Sequence, residues 1–120
     1  MTTKAPGKLA GSPKESLIVK SIETLLRYFK IFHWRMYTGP RVYRGNKFLP
    51  SLQVGMPDII GVLPDGRFFA IEVKRPGGEI SSAQLDTIQA INARGGIAFI
   101  ATGTEDVKQN LGAYLGKISA

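Results

Sequence analysis

The chain has 120 residues, with 16 lysines and arginines against 9 acidic residues, a net charge of +7 and no cysteine. This length suits one domain with a single core, and the missing cysteines exclude disulfides and thiolate chemistry and fit a reducing cytosol. No apolar run approaches a membrane span and none follows Met1 as a secretory leader would, so a cytoplasmic protein with a polyanionic partner is expected.

Residues 1–11 carry Lys4 and Lys8 among Thr, Ala, Pro and Gly, and read as a flexible basic arm ahead of one domain over 12–120. Ser12-Pro13-Lys14-Glu15 is a helix start, with Ser at the N-cap, Pro at the first helical position and Glu at the third. Ile18, Ile22, Leu25 and Phe29 then recur at helical spacing, and Glu15 falls within their stripe. Residues 31–38 read as a strand. Its His33 is the only histidine, and it reads as a packed or edge residue with no second ligand for a metal. Trp34 and Tyr37 read as core or core-edge residues rather than as surfaces for stacking bases.

No acidic residue occurs between Glu23 and Asp58, whereas Arg27, Lys30, Arg35, Arg41, Arg44 and Lys47 are all basic. A solvated basic face is one reading. A surface that tracks phosphates is the other, and it is favoured because the charges lead directly to an acidic pair. Within residues 39–55, Val42 to Phe48 reads as a loop or irregular hairpin, and Arg41, Tyr43, Arg44 and Lys47 interleave cations with an aromatic ring, a combination suited to phosphate contact.

Residues 55–74, GMPDIIGVLPDGRFFAIEVK, read as a β-hairpin turning at Pro64-Asp65-Gly66. Alternation sends Phe69, Ile71 and Val73 to one face and Phe68, Ala70, Glu72 and Lys74 to the other. A three-residue loop pairs Leu63 with Arg67 and so sets Asp58 opposite Glu72, with their Cβ atoms about 5 Å apart. Two carboxylates held so closely need a proton or a cation between them. An edge hairpin with solvated charges is the alternative, and a one-residue slip would part the two acids.

After Lys74, Arg75 is placed for phosphate contact in a Pro-Gly-Gly loop. Ser81 and Gln84 form a second capping box at the start of a helix, with Gln84 sharing a face with Ile88 and Ile91. Residues 97–101 form a buried strand, and Thr104 opens a last helix. No glycine pattern has the context of a P-loop or dinucleotide site, so no nucleotide cofactor is expected. The order of helices and strands predicts an α/β domain with a central mixed sheet flanked by helices.

Pro57-Asp58, with Glu72-Val73-Lys74 fourteen residues after the aspartate, is similar to the core of the PD-(D/E)XK nucleases. The fuller string GMPDII…FFAIEVKRPGGEISSAQ, with an apolar strand after Gly95-Gly96, resembles the VRR-NUC branch of that superfamily from roughly Glu15 to Thr102. The resemblance implies a restriction-endonuclease-like core and an endonuclease of DNA dependent on Mg²⁺ or Mn²⁺. By the same resemblance, Asp58, Glu72 and the Val73 carbonyl hold the metal. Lys74 orients the attacking water or stabilises the transition state, and Glu15 and Gln84 act through waters or by placing the others. For Glu15 and Gln84, helix capping and a role in the site both stay open. Small stand-alone members, typical of phages and bacteria, resemble Holliday junction resolvases, so a homodimer acting on four-way DNA is expected. Its interface is sought first around residues 32–37 and around Tyr114 and Leu115. Flap-type cleavage, restriction-type cleavage and a non-catalytic binding module are the alternatives.

Overall fold

The apolar stripe of the first helix needs a covered face, and the fold supplies one. In helix α1 (Pro13–Tyr28), Val19, Ile22 and Leu26 are buried, and Ile18, Leu25 and Phe29 pack around them. The computed structural model describes residues 13–36, 42–44, 47–49 and 54–115; the basic arm, Ser12, Tyr37 and Arg41 lie outside them. The helix stops in a left-handed turn at Lys30 (φ 58°), where Lys30 N–H donates to Arg27 and Ile31 N–H to Leu26 at 3.0 and 2.9 Å. Ile31 and Leu26 are both buried there, which is the apolar contact that accompanies this type of helix end.

Strand β1 (Phe32–Arg35) follows, then a small hairpin of β2 (Val42–Arg44) and β3 (Lys47–Leu49) pairing Tyr43 with Phe48. The remaining elements are β4 (Ile59–Val62), β5 (Phe68–Val73), α2 (Ser82–Ala93), β6 (Ile97–Ala101) and α3 (Thr104–Leu115). The main sheet runs β1-β4-β5-β6. Its first three strands are antiparallel, and β6 joins β5 in parallel after the crossover through α2. The expected mixed sheet with flanking helices is therefore present.

The hairpin has the register its loop dictates. Leu63 N–H donates to Arg67 at 2.8 Å, and pairing runs from Val62–Phe68 to Ile59–Ile71. One face of β5 presents Phe69, Ile71 and Val73 to the main core, with Val19, Ile22 and Leu26 of α1 and Val107, Leu111 and Leu115 of α3. Gly61, opposite Phe69, leaves room for that ring, since a Cβ there would lie 2.4 Å from it. The other face carries Ala70 and Glu72, and α2 lies against β5 and β6 on that side.

Two expectations fail. Trp34 is 48 % exposed and Phe32 61 %, their rings meeting edge to face, so the aromatic residues of β1 are not core. At the far end of the chain, Leu115 is buried in the core and the Tyr114 hydroxyl donates to Asp65 at 2.7 Å, so both serve the monomer.

Candidate active site

Four backbone and side-chain bonds fix the acidic pair. Pairing ends at Ile59–Ile71, and Asp58 precedes it at the end of β5 that carries Glu72. Asp58 N–H donates to the Ile71 carbonyl at 3.1 Å, and the Asp58 carbonyl accepts Met36 N–H at 2.7 Å. Its carboxylate turns along β5, where Oδ2 accepts Val73 N–H at 2.7 Å. Glu72 is only 4 % exposed, and its Oε2 accepts Gln84 Nε2–H at 2.7 Å, with Lys74 Nζ 3.7 Å away.

The Asp58 and Glu72 carboxyls are also close enough to perturb each other. Burial pushes the Glu72 carboxyl up to about 8, and the charge of Asp58 pushes in the same direction; Lys74 opposes both without prevailing. Burial raises Asp58 as well, against the Val73 hydrogen bond. Both carboxyls are thus pushed towards the protonated form. Glu15, in the first turn of α1, is near enough for its charge to raise both acids. The structure therefore brings Glu15 towards Asp58, Glu72, Lys74 and Gln84 from the opposite end of the sequence.

Gln84 has two uses at once. Its Oε1 accepts Ser81 N–H at 2.9 Å while its own N–H donates to the Ser81 hydroxyl at 3.1 Å, completing a capping box. The box fixes which end of the amide is oxygen, so the NH₂ group must face Glu72. Capping is thus what orients the donor. Gly55 (φ +83°) supports the same helix, since a Cβ there would lie 2.6 Å from the Ala83 carbonyl oxygen. At the helix's other end, Asn92 bonds both the N–H and the carbonyl of Ala98, at 2.8 and 2.9 Å. Nothing in the local sequence marks Asn92 as a side chain that reaches a neighbouring strand.

The Val73 carbonyl has a definable direction. Val73 N–H points to Asp58, whereas Lys74 N–H goes to Ala101 in β6 at 3.0 Å. In extended backbone a residue's C=O shares the side of its N–H, so the Val73 carbonyl opens towards Asp58, past the end of β4. Arg75 is exposed in the turn beyond, its carbonyl accepting Gly78 N–H at 2.8 Å. Arg41 lies outside the described residues, and Tyr43, Arg44 and Lys47 are described only as members of β2 and β3. His33 has a partner that sequence reading missed: its Nε2 lies 3.9 Å from Glu23 of α1, and its Nδ1 lies 2.8 Å from the Ile31 carbonyl oxygen.

The donor set around Asp58 is oxygen only. Among the described residues, no three His, Cys, Asp or Glu side chains are arranged to hold a metal. A buried and a half-buried carboxylate brought together, with a carbonyl opening beside them, nevertheless suit a hard divalent ion completed by water and phosphate.

A four-stranded mixed sheet with an acidic pair at the end of its central hairpin and a lysine beside it is a restriction-endonuclease-like core. A model of the VRR-NUC domain matches residues 42–105, more than half of the sequence, and the chain belongs to that family. It is therefore a nuclease domain, with nucleic acid as its substrate. The matched span includes Asp58, Glu72, Lys74 and Gln84 and excludes Glu15 and Arg41. No curated protein and no solved structure gives a significant match.

Proposed function

We propose that the chain is a Mg²⁺- or Mn²⁺-dependent endonuclease of DNA, with Asp58, Glu72 and the Val73 carbonyl as the ligands that would hold the ion. The observation that carries this reading is the pair of acids brought together beside Lys74, with Glu72 buried and Asp58 half-buried. When bound, the ion supplies a water of lowered pKa and screens charge on the phosphate. Asp58 is held in place by Val73 N–H and Glu72 by the amide of Gln84. Lys74 orients the attacking water or meets the negative charge that grows on the phosphate. Glu15 acts on the pair through its charge, and Arg75 with Arg41, Tyr43, Arg44 and Lys47 contacts the backbone of the substrate.

The proposed substrate is four-way DNA and the working unit a two-fold homodimer in the bacterial cytoplasm, encoded by the cell or by a phage. One chain carries one acidic pair, whereas resolving a junction takes two cuts in strands related by near two-fold symmetry, and an isologous dimer supplies both. A purely binding module on this fold would gain nothing from two carboxylates that repel a phosphate. Cleavage assays on duplex, flap and four-way DNA, with Mg²⁺ and with EDTA, test the whole reading. Metal-dependent cutting of the junction in paired strands is expected. Cutting in EDTA would remove the metal, and a preference for flaps together with a monomer in sedimentation would remove the junction and the dimer.

A further inference from the structure

Alternation along β1 sends His33 to the α1 side, where it meets Glu23, and so sends Phe32 and Trp34 to the opposite face. Pairing carries that face across the sheet. Trp34 lies opposite Ile60 and Phe32 opposite Val62, which in turn lie opposite Ala70 and Phe68. Glu72 follows Ala70 on the same face, so the aromatic rings and the acidic pair share one side of the sheet. Helix α2 covers β5 and β6 there, and beside it Phe32, Trp34 and Phe68 are 61, 48 and 39 % exposed. Trp34 stands two residues before Met36, whose N–H meets the Asp58 carbonyl, about 7 Å along the strand.

We propose that Phe32 and Trp34 form a stacking site for an unpaired base of the substrate, next to the phosphate being cut. The proposal rests on the nuclease reading and adds to it a substrate class: branched nucleic acid in which at least one nucleotide beside the cut is unpaired, as when the crossover of a four-way junction opens. Three features favour a base over other occupants of an apolar patch. The patch lies on the same face of the sheet as the acidic pair in a chain of net charge +7, so nucleic acid drawn to that face meets neutral rings. The two rings lie edge to face, with centroids 4.6 Å apart, and so leave ring surface open. Any aromatic ring can stack on any base, which suits an enzyme that selects shape over sequence. Bases inside a duplex are already stacked on each other, so only an unpaired one can use the site.

Trp34 is the only tryptophan in the chain, so its fluorescence reports this site alone. The full chain, in EDTA so that nothing is cut, is titrated with a blunt duplex, a duplex bearing a single-stranded overhang, and the same overhang with abasic positions. Anisotropy of labelled DNA reports binding separately. Overhang DNA should quench Trp34, and the blunt and abasic DNAs should bind with little quenching. Phe32→Ala should weaken overhang binding about tenfold. Trp34→Phe should keep most of the affinity that Trp34→Ala loses, with melting temperatures confirming that each variant folds. Overhang binding without quenching overturns the proposal, as does failure of all three DNAs to bind. A shift of Trp34 emission on dilution of the free protein also overturns it, because a second copy would then cover the patch. Quenching without Mg²⁺-dependent cleavage would leave the stacking site standing and remove the catalytic reading; cleavage without quenching would do the reverse.

Discussion

The two faces of the central sheet are held by different forces. On one, α1 and α3 close over Phe69, Ile71 and Val73 with apolar side chains that are almost fully buried. On the other, α2 has no fully buried residue and is held by the Gln84–Glu72 and Asn92–Ala98 bonds and by the close approach of Gly55 to Ala83. Apolar packing is non-directional and tolerates small shifts, whereas a hydrogen bond fixes an atom. The face that needs stability uses the first and the face that needs position uses the second. Changes on the two faces should therefore separate stability from chemistry.

The largest effect is expected on the polar face. Asp58→Asn, Glu72→Gln and Lys74→Ala should each lower cleavage by orders of magnitude while the fold stays intact. Wild-type rates under matched Mg²⁺ in any one of them would remove that residue from the mechanism. On the apolar face the effects reverse. Leu111→Ala, far from the acids and fully buried, should lower stability by about 2–5 kcal/mol. Cleavage per folded molecule should hardly change, and a denaturant titration run beside an activity assay checks both parts.

A third difference concerns pH. In the unfolded chain the Glu72 carboxyl titrates near 4.5, and in the folded chain near 8. Between these values the folded state binds more protons, so its stability falls as pH rises, and it levels off above the folded value. Metal-free denaturation midpoints measured from about pH 5 to about pH 9 should decline, and in Glu72→Gln most of that slope should vanish. A flat wild-type profile would mean that burial does not raise the Glu72 carboxyl.

Next in size is the contrast between Ser81 and Gln84. Ser81→Ala removes one cap bond and should cost about 1 kcal/mol of stability, with cleavage kept once folding is controlled. Gln84→Ala removes the cap and also the donor to Glu72, so it should lose activity as well. Equal activity in the two variants would make Gln84 a cap and nothing more.

Much of this was legible in the sequence because it is local. The Pro64-Asp65-Gly66 turn and the alternation beyond it specify the hairpin register, and that register brings Asp58 to Glu72. The Ser81–Gln84 spacing specifies the start of α2, and hence the direction of the amide. The exposure of Phe32 and Trp34 was not legible, because it depends on where α2 ends its coverage of the sheet and not on β1. His33 and Asn92 escaped for a similar reason: their partners, Glu23 and Ala98, are set by how the elements pack. The placement of Arg41, Arg44 and Lys47 against the acids stays a matter of sequence, since their side chains are outside the described residues.

The smallest expected effect compares the helix ends on the two faces. α1 and α2 stop in the same way, each with a left-handed residue and a bond reaching back five positions: Ile31 to Leu26 after Lys30, and Gly96 to Ile91 after Gly95. Glycine adopts that conformation without strain, whereas a residue with a Cβ pays about 1–2 kcal/mol. Lys30→Gly should therefore stabilise the protein. The gain is reduced by the greater freedom of glycine in the unfolded chain, leaving about 0.5–1 kcal/mol, a rise of a few degrees in Tm. The opposite exchange, Gly95→Lys, should lower Tm by a similar amount, since a Cβ at Gly95 meets nothing and only backbone strain is added. If Lys30→Gly lowers Tm instead, the Lys30 side chain contributes more to the end of α1 than its backbone strain takes away.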